Sequence, residues 1–224
     1  MLECIWGFLM KLFNYSTEKY DFKKVLCDWL ETDDLAQLHV EKQYPLLTRE
    51  QDMYMHWNQI YYNRWREDSS IKDVYLKFLA DVIKPRFGEN IIYQELPDIR
   101  IHLPNNVAVG NFHKDKTYRD SDWAKKVDEL NYFVPLTDAY GTNTVWAETV
   151  EDKGDYTPFE NTYGDCVEWH GSYLMHGNKI NTTSITRVSF DFRVIPESRY
   201  FPSEHGSVNM KIPFKIGGFY GGIL

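Results

Sequence analysis

Near Asn90 the hydrophobic period of this chain changes, and that change limits the folds open to it more than any other feature of the sequence. Before it, apolar residues recur at helical spacing. Phe22, Val25, Leu26, Trp29 and Leu30 form an i, i+3, i+4, i+7, i+8 stripe behind Asp21, an N-cap candidate. Thr48 with Gln51 has the form of a capping box ahead of Met53, Trp57, Ile60, Tyr61 and Trp65. Ser70 with Asp73 repeats that signal more weakly ahead of Ile71, Val74, Tyr75, Phe78, Leu79 and Val82, and Lys84 and Pro85 end the run. After Asn90 come short segments rich in branched and aromatic residues: IIYQEL, IRIHL, VAVGNF, NYFVPLT, TNTVWAET, DCVEWHG, SYLMHG and ITRVSFDFRV, set apart by turn-forming residues. Helices followed by many short strands predict helices flanking a mostly antiparallel barrel or sandwich.

The opening MLECIWGFLMKLFNYS is apolar, but it carries Glu3 and Lys11, lacks a basic leader and is too short to span a bilayer. Leu2, Ile5, Trp6, Leu9 and Phe13 fall at helical spacing, which predicts an amphipathic helix docked on the protein itself. With 224 residues and 43% hydrophobic content the chain can bury one sizeable core. A single domain over 1–224 is expected, with a helical portion 1–88 packed on a β core 89–200. The glycine-rich tail 201–224 has no readable role. A formal charge of -8, from 33 acidic and 25 basic residues, opposes binding to phosphate backbones and anionic membranes. The expected partner is therefore a small molecule, with no nucleic acid and no membrane. Cys4, Cys27 and Cys166 form no CxxC pair and suit reduced, packed thiols of a cytoplasmic protein. The oligomeric state is not legible.

The chemistry concentrates in NFHKDKTY. On a strand, His113 and Asp115, two residues apart, would point to one face. A later histidine, His176 in LMHGN, would complete two nitrogens and one oxygen around a metal, the facial set that leaves positions open on non-haem Fe(II). His170 lies close to the same strand region; His176 is preferred because GN follows it and because of its distance before Arg187. In RVSFDFRV, alternation puts Arg187, Ser189, Asp191 and Arg193 on one face and Val188, Phe190, Phe192 and Val194 on the other. Further candidates line the expected pocket. Asn131, sharing a face with Phe133 and Pro135, would hydrogen-bond a cosubstrate; Trp146 and Glu148, sharing one with Thr144, would contact substrate, as would Tyr118 and Arg193.

HKD, LMHGNKIN and TRVSFDFRV, in that order, resemble the metal and cosubstrate motif of the Fe(II)- and 2-oxoglutarate-dependent oxygenases. GTNTVWAE, YGDCVEWHG and HGN are most similar to the phytanoyl-CoA hydroxylase-like branch and, within it, to the StrG-type proteins of streptomycin biosynthesis. The resemblance covers roughly residues 111–195. It implies a double-stranded β-helix, the jelly-roll core of that superfamily, with His113, Asp115 and His176 as iron ligands and Arg187, assisted by Ser189, on the distal carboxylate of 2-oxoglutarate. Implied with it are O2 as oxidant, succinate and CO2 as products, and hydroxylation of a small polar metabolite, of amino-acid or amino-sugar type, in natural-product biosynthesis. Halogenases of the superfamily replace the acid with a small residue; this chain keeps Asp115, which favours hydroxylation or a related desaturation or ring closure. Two other readings stand beside it. RVSFDFR has the arginine spacing of AlkB-type nucleic-acid demethylases, although Ser189 and Asp191 replace that pattern's asparagine and threonine. A non-catalytic or other-metal jelly roll is the third, since zinc also accepts two histidines and an aspartate.

Overall fold

The computed structural model describes residues 10–41, 55–106, 111–118, 123, 126–206 and 211–224. Helix α1, Phe22–Leu30, forms on the expected stripe, with the Asp21 carboxylate accepting from the Lys24 N–H at 3.0 Å and Phe22, Leu26, Trp29 and Leu30 buried. A short α2, Leu38–Glu41, follows. Helix α3, His56–Glu67, buries Trp57, Tyr61 and Trp65; Met53 and the Thr48–Gln51 box lie outside the described residues. In α4, Ser70–Phe78, the cap stands one residue earlier than the sequence suggested. Ser69 precedes the helix and its hydroxyl bonds Asp73, while the Ser70 N–H is taken by Asp68. The helix then widens into a π turn at Leu79–Ile83 and ends in a 3-10 turn at Lys84–Arg86.

The first expected helix is corrected. Met10–Asn14 is a strand, β1, pairing antiparallel with Asp165–Trp169, and the cross-strand contacts of Lys11 with Glu168 and of Asn14 with Asp165 hold its register. An edge strand, with Met10 and Phe13 half-buried and Lys11, Leu12 and Asn14 exposed, satisfies its backbone on one partner, which local helical spacing cannot anticipate. Residues 1–9, which carry the rest of that stripe, lie outside the described residues. The tail also contributes a strand, since Tyr220–Ile223 pairs with Ile91–Gln94.

The remaining strands are β2 Ile91–Gln94, β3 Asp98–His102, β4 Leu130–Pro135, β5 Val145–Ala147, β6 Thr157–Pro158, β7 Asp165–Trp169, β8 His176–Asn178, β9 Arg187–Pro196 and β10 Tyr220–Ile223. They form a seven-stranded sheet in the order β1-β7-β4-β9-β2-β10, with β3 also on β9, and a smaller sheet, β6-β5-β8. The long β9 organises the larger sheet, pairing with β4 on one edge and with β3 and β2 in turn on the other. Its apolar residues Val188, Phe190, Phe192 and Val194 enter the core beneath the helices, where Phe190 meets Phe22 at 4.9 Å and Phe192 meets Tyr75 at 5.2 Å between ring centroids. Each such side chain is worth roughly 1.5–3 kcal/mol on burial, so the helices fix which face of β9 is left for chemistry. A second apolar cluster, with Phe133, Ala147, Phe159, Val167, Trp169 and Leu174, joins residues of both sheets. Among the described residues no helix is long and apolar enough to cross a membrane.

Candidate metal centre

His113, Asp115 and His176 meet between the two sheets, their ligand atoms all within 4.8 Å of one another. The reason differs from the strand alternation expected of HxD. Residues 107–110 of VAVGNF lie outside the described residues, and His113 belongs to an isolated antiparallel bridge to His176, with N–H···O distances of 2.8 and 2.9 Å in the two directions. Asp115 opens a 3-10 turn, Asp115–Tyr118, with its N–H on Gly171 O at 2.9 Å. A bridge followed by a turn therefore aims the two side chains inward. The Asp115 Oδ1 atom stands 3.4 Å from His113 Nε2 and 3.7 Å from His176 Nε2.

Each imidazole is oriented by a main-chain carbonyl. His113 Nδ1 faces Asn111 O at 2.7 Å, and His176 Nδ1 faces Leu174 O at 2.9 Å. A ring nitrogen facing a carbonyl must carry a proton, so a neutral ring held this way turns its Nε2 lone pair toward the site. Burial lowers the His176 pKa to about 4, against the opposing pull of Asp115. The ring is neutral at pH 7, and metal binding displaces no proton from it.

Asp115 is held at its other oxygen. Oδ2 accepts from Asn131 Nδ2 at 2.9 Å and from Arg193 Nε and Nη2 at 3.2 and 3.3 Å. The Asn131 carbonyl in turn accepts from the Gly171 N–H at 3.2 Å, and Gly171 O accepts from the Asp115 N–H, closing a ring of three hydrogen bonds. A Cβ at Gly171 would sit 2.6 Å from Asn131 Nδ2, so only glycine lets that ring close. Oδ1 alone is left facing the histidines. Asn131 and Arg193, read from the sequence as cosubstrate and substrate contacts, both engage Asp115, and Arg193 also pairs with Asp98 at 2.9 Å and Asp191 at 3.4 Å.

Arg187 is fully buried. Its Nε donates to Asn143 O at 2.7 Å, Nη1 to Ser189 Oγ at 2.6 Å and Nη2 to Asn178 Oδ1 at 3.1 Å. His102, opposite Arg187 in register, lies between Asn106 O and Asn143 O; burial and then the Arg187 charge lower its pKa to about 4, so it too is neutral. His170 stands outside the triad, near Tyr173.

Two expected substrate contacts are placed elsewhere. Trp146 pairs with Gly177 while Ala147 pairs with His176, so alternation turns Trp146 to the face opposite the triad. There it lines an outer cleft of about 690 Å³ with Phe112, Tyr156 and Lys179, whose ammonium lies 3.0 Å from the Trp146 ring centroid. The buried Glu148 carboxylate accepts from the N–H groups of Asp152, Gly154 and Met175, an arrangement that folds the loop beside the triad. Lys114, between the two HxD residues, turns away to bind Asp152 at 2.6 Å and Glu151 at 3.2 Å. The turn Asp115–Tyr118 ends at Tyr118, whose side chain lies outside those described.

Sequence reasoning used the glycine after His176 only as a motif and gave no structural reason for it or for the glycine of WHG. A Cβ at Gly177 would come within 2.8 Å of the Phe112 ring and 3.0 Å of Phe112 Cα, directly behind the His113–His176 bridge. Gly177→Ala is expected to push these segments apart and weaken metal binding at the triad by about 10–100-fold, the scale of an outer-sphere loss, with the global fold retained. Calorimetric Fe(II) titration checks this, and wild-type affinity in Gly177→Ala would show that the close approach is incidental.

No family model matches the chain. It is 32% identical over 213 residues to the streptomycin biosynthesis protein StrG of Streptomyces griseus, an alignment covering 92% of this chain and 98% of StrG. Among solved structures, a non-heme alpha-ketoglutarate-dependent carbocyclase, SnoK from nogalamycin biosynthesis, superposes with a TM-score of 0.54 at 12% identity, over 84% of this chain and 80% of that one. EctD from S. alaskensis, with 2-oxoglutarate and 5-hydroxyectoine, gives 0.51 at 16% identity, over 94% and 77%. At such identities the likeness speaks to the fold, a double-stranded β-helix.

Proposed function

This chain belongs to the StrG family, and on that premise we propose that it is an Fe(II)- and 2-oxoglutarate-dependent oxygenase hydroxylating a small polar metabolite of natural-product biosynthesis, of amino-acid or amino-sugar type. One observation carries the reading: two imidazole Nε2 atoms and one carboxylate oxygen converge, while the second carboxylate oxygen is tied down by Asn131 and Arg193. Two imidazoles and one monodentate carboxylate fit Fe(II) and leave positions for a chelating cosubstrate and for O2. When bound, iron, 2-oxoglutarate and O2 supply the oxidising chemistry, with succinate and CO2 as by-products.

The chain's own residues supply position and exclusion. His113 and His176 would hold the metal through Nε2 and Asp115 through Oδ1. Arg193 and Asn131 keep Asp115 from rotating to offer both oxygens. Arg187 is a fixed, buried cation with Ser189 beside it, and a planar fork of donors suits the distal carboxylate of 2-oxoglutarate. The apolar cluster around Trp169 and Leu174 keeps water from the surroundings of His176. This chain keeps an acid, Asp115, where halogenases of the superfamily have a small residue, which favours hydroxylation. Residues 1–224 act as one domain in the cytoplasm, where Cys27 and Cys166 remain free thiols. The test is an anaerobic titration of the apo protein with Fe(II) and then 2-oxoglutarate. A saturable, weak visible charge-transfer band is expected; folded protein that gives none removes the oxygenase reading.

A further inference from the structure

Trp169 ends β7 with an indole N–H that has no hydrogen-bond partner among the described residues, although the residue is only 4% exposed. A buried donor left unmet is costly, so its position is informative. In register, Trp169 stands opposite Asn131, and Asn131 stands opposite Arg193. Directly paired residues in a sheet share a face, so these three make one row across β7, β4 and β9. Asn131 and Arg193 reach Asp115 from that row. Trp169 meets His176 instead, ring against ring at 4.5 Å and 85°. The row is a floor beneath the triad, and two of its three side chains are already committed to a metal-facing residue.

Indole N–H can only donate, so its partner must be an acceptor, and an anionic oxygen makes the stronger bond. Phe133, Phe159 and Leu174, in the same cluster, make the surroundings apolar, which strengthens such a bond further. We infer that Trp169 binds the cosubstrate, its N–H donating to the carboxylate of 2-oxoglutarate nearer the metal, while Arg187 holds the other end. This rests on the oxygenase reading above. A phenylalanine would keep most of the apolar contact with His176; the nitrogen is what the tryptophan adds.

The experiment is the anaerobic Fe(II) and 2-oxoglutarate titration of Trp169→Phe beside wild type, with β-(3-benzothienyl)alanine at position 169 as an isostere that keeps the ring volume and loses the N–H. Both substituted proteins are expected to bind Fe(II) within about threefold of wild type. Both should bind 2-oxoglutarate about tenfold more weakly, as loss of one charge-assisted hydrogen bond requires, with the charge-transfer band displaced. If the isostere matches wild type in affinity and band position, the assignment of Trp169 is overturned and the oxygenase reading stands. If wild type itself fails to bind 2-oxoglutarate, the oxygenase reading fails and this inference falls with it.

Discussion

Replacing His176 with alanine is expected to abolish Fe(II) binding and succinate formation together while the protein remains folded. The ring supplies one of three converging donors, so its loss should exceed the roughly 10–100-fold that removal of an outer-sphere partner costs. The structural penalty is smaller. His176 is neutral, and its main-chain bonds to His113 do not depend on the side chain; the lost contact with Trp169 and the lost Nδ1 bond put the change at about 1–3 kcal/mol. Asp115→Ala should be equally inactive and cost about 1–3 kcal/mol, Arg193 keeping Asp98 and Asp191 as partners. It removes a carboxylate from the buried Arg193 guanidinium and breaks the ring through Asn131 and Gly171. Metal titration with circular dichroism separates the two effects. Succinate formation at the wild-type rate in His113→Ala, His176→Ala or Asp115→Ala would remove that residue from the ligand set.

The second large effect concerns Arg187. Arg187→Ala should raise the 2-oxoglutarate concentration needed for half-saturation by about 100-fold, the loss of a two-point, charge-assisted contact. It should also destabilise the protein by about 3 kcal/mol, because Asn143 O, Ser189 Oγ and Asn178 Oδ1 all lose a donor in the interior. Arg187→Lys keeps a charge but not the fork, and an intermediate shift of about tenfold is expected. Cosubstrate affinity measured by the charge-transfer band, at fixed Fe(II), gives the comparison without relying on turnover. Unchanged affinity in Arg187→Ala would move the distal carboxylate to another part of the barrel. Arg193 is a poor substitute, being already drawn to Asp115, Asp98 and Asp191.

These two predictions draw on different parts of what could be read in advance. Arg187 and Ser189 were found together because β9 is long and strictly alternating, and the core accepted its apolar face as expected. His113 and Asp115 were found together through a spacing argument whose premise, a continuous strand through both, does not hold, since a bridge and a 3-10 turn bring them together. The helical spacing of the first residues failed at Met10–Asn14, where pairing with β7 prevails over local pattern.

By itself the sequence determined the periods, and through them the helices α1, α3 and α4, the strand-rich remainder, the two faces of β9 and the residue types able to hold a metal. Tertiary structure alone decided what those faces meet. Asn131 and Arg193 lie 62 residues apart and become neighbours only through the register of β4 on β9, which turns both toward Asp115. Trp146 faces away from the triad because its partner in β8 is Gly177 and not His176. Gly171 and Gly177 are needed because Asn131 and Phe112 pass where a Cβ would stand. Alternation along a strand states which side chains share a face; which face turns inward, and what lies across it, is set by long-range pairing and by the burial of the opposite side, and a local pattern contains neither.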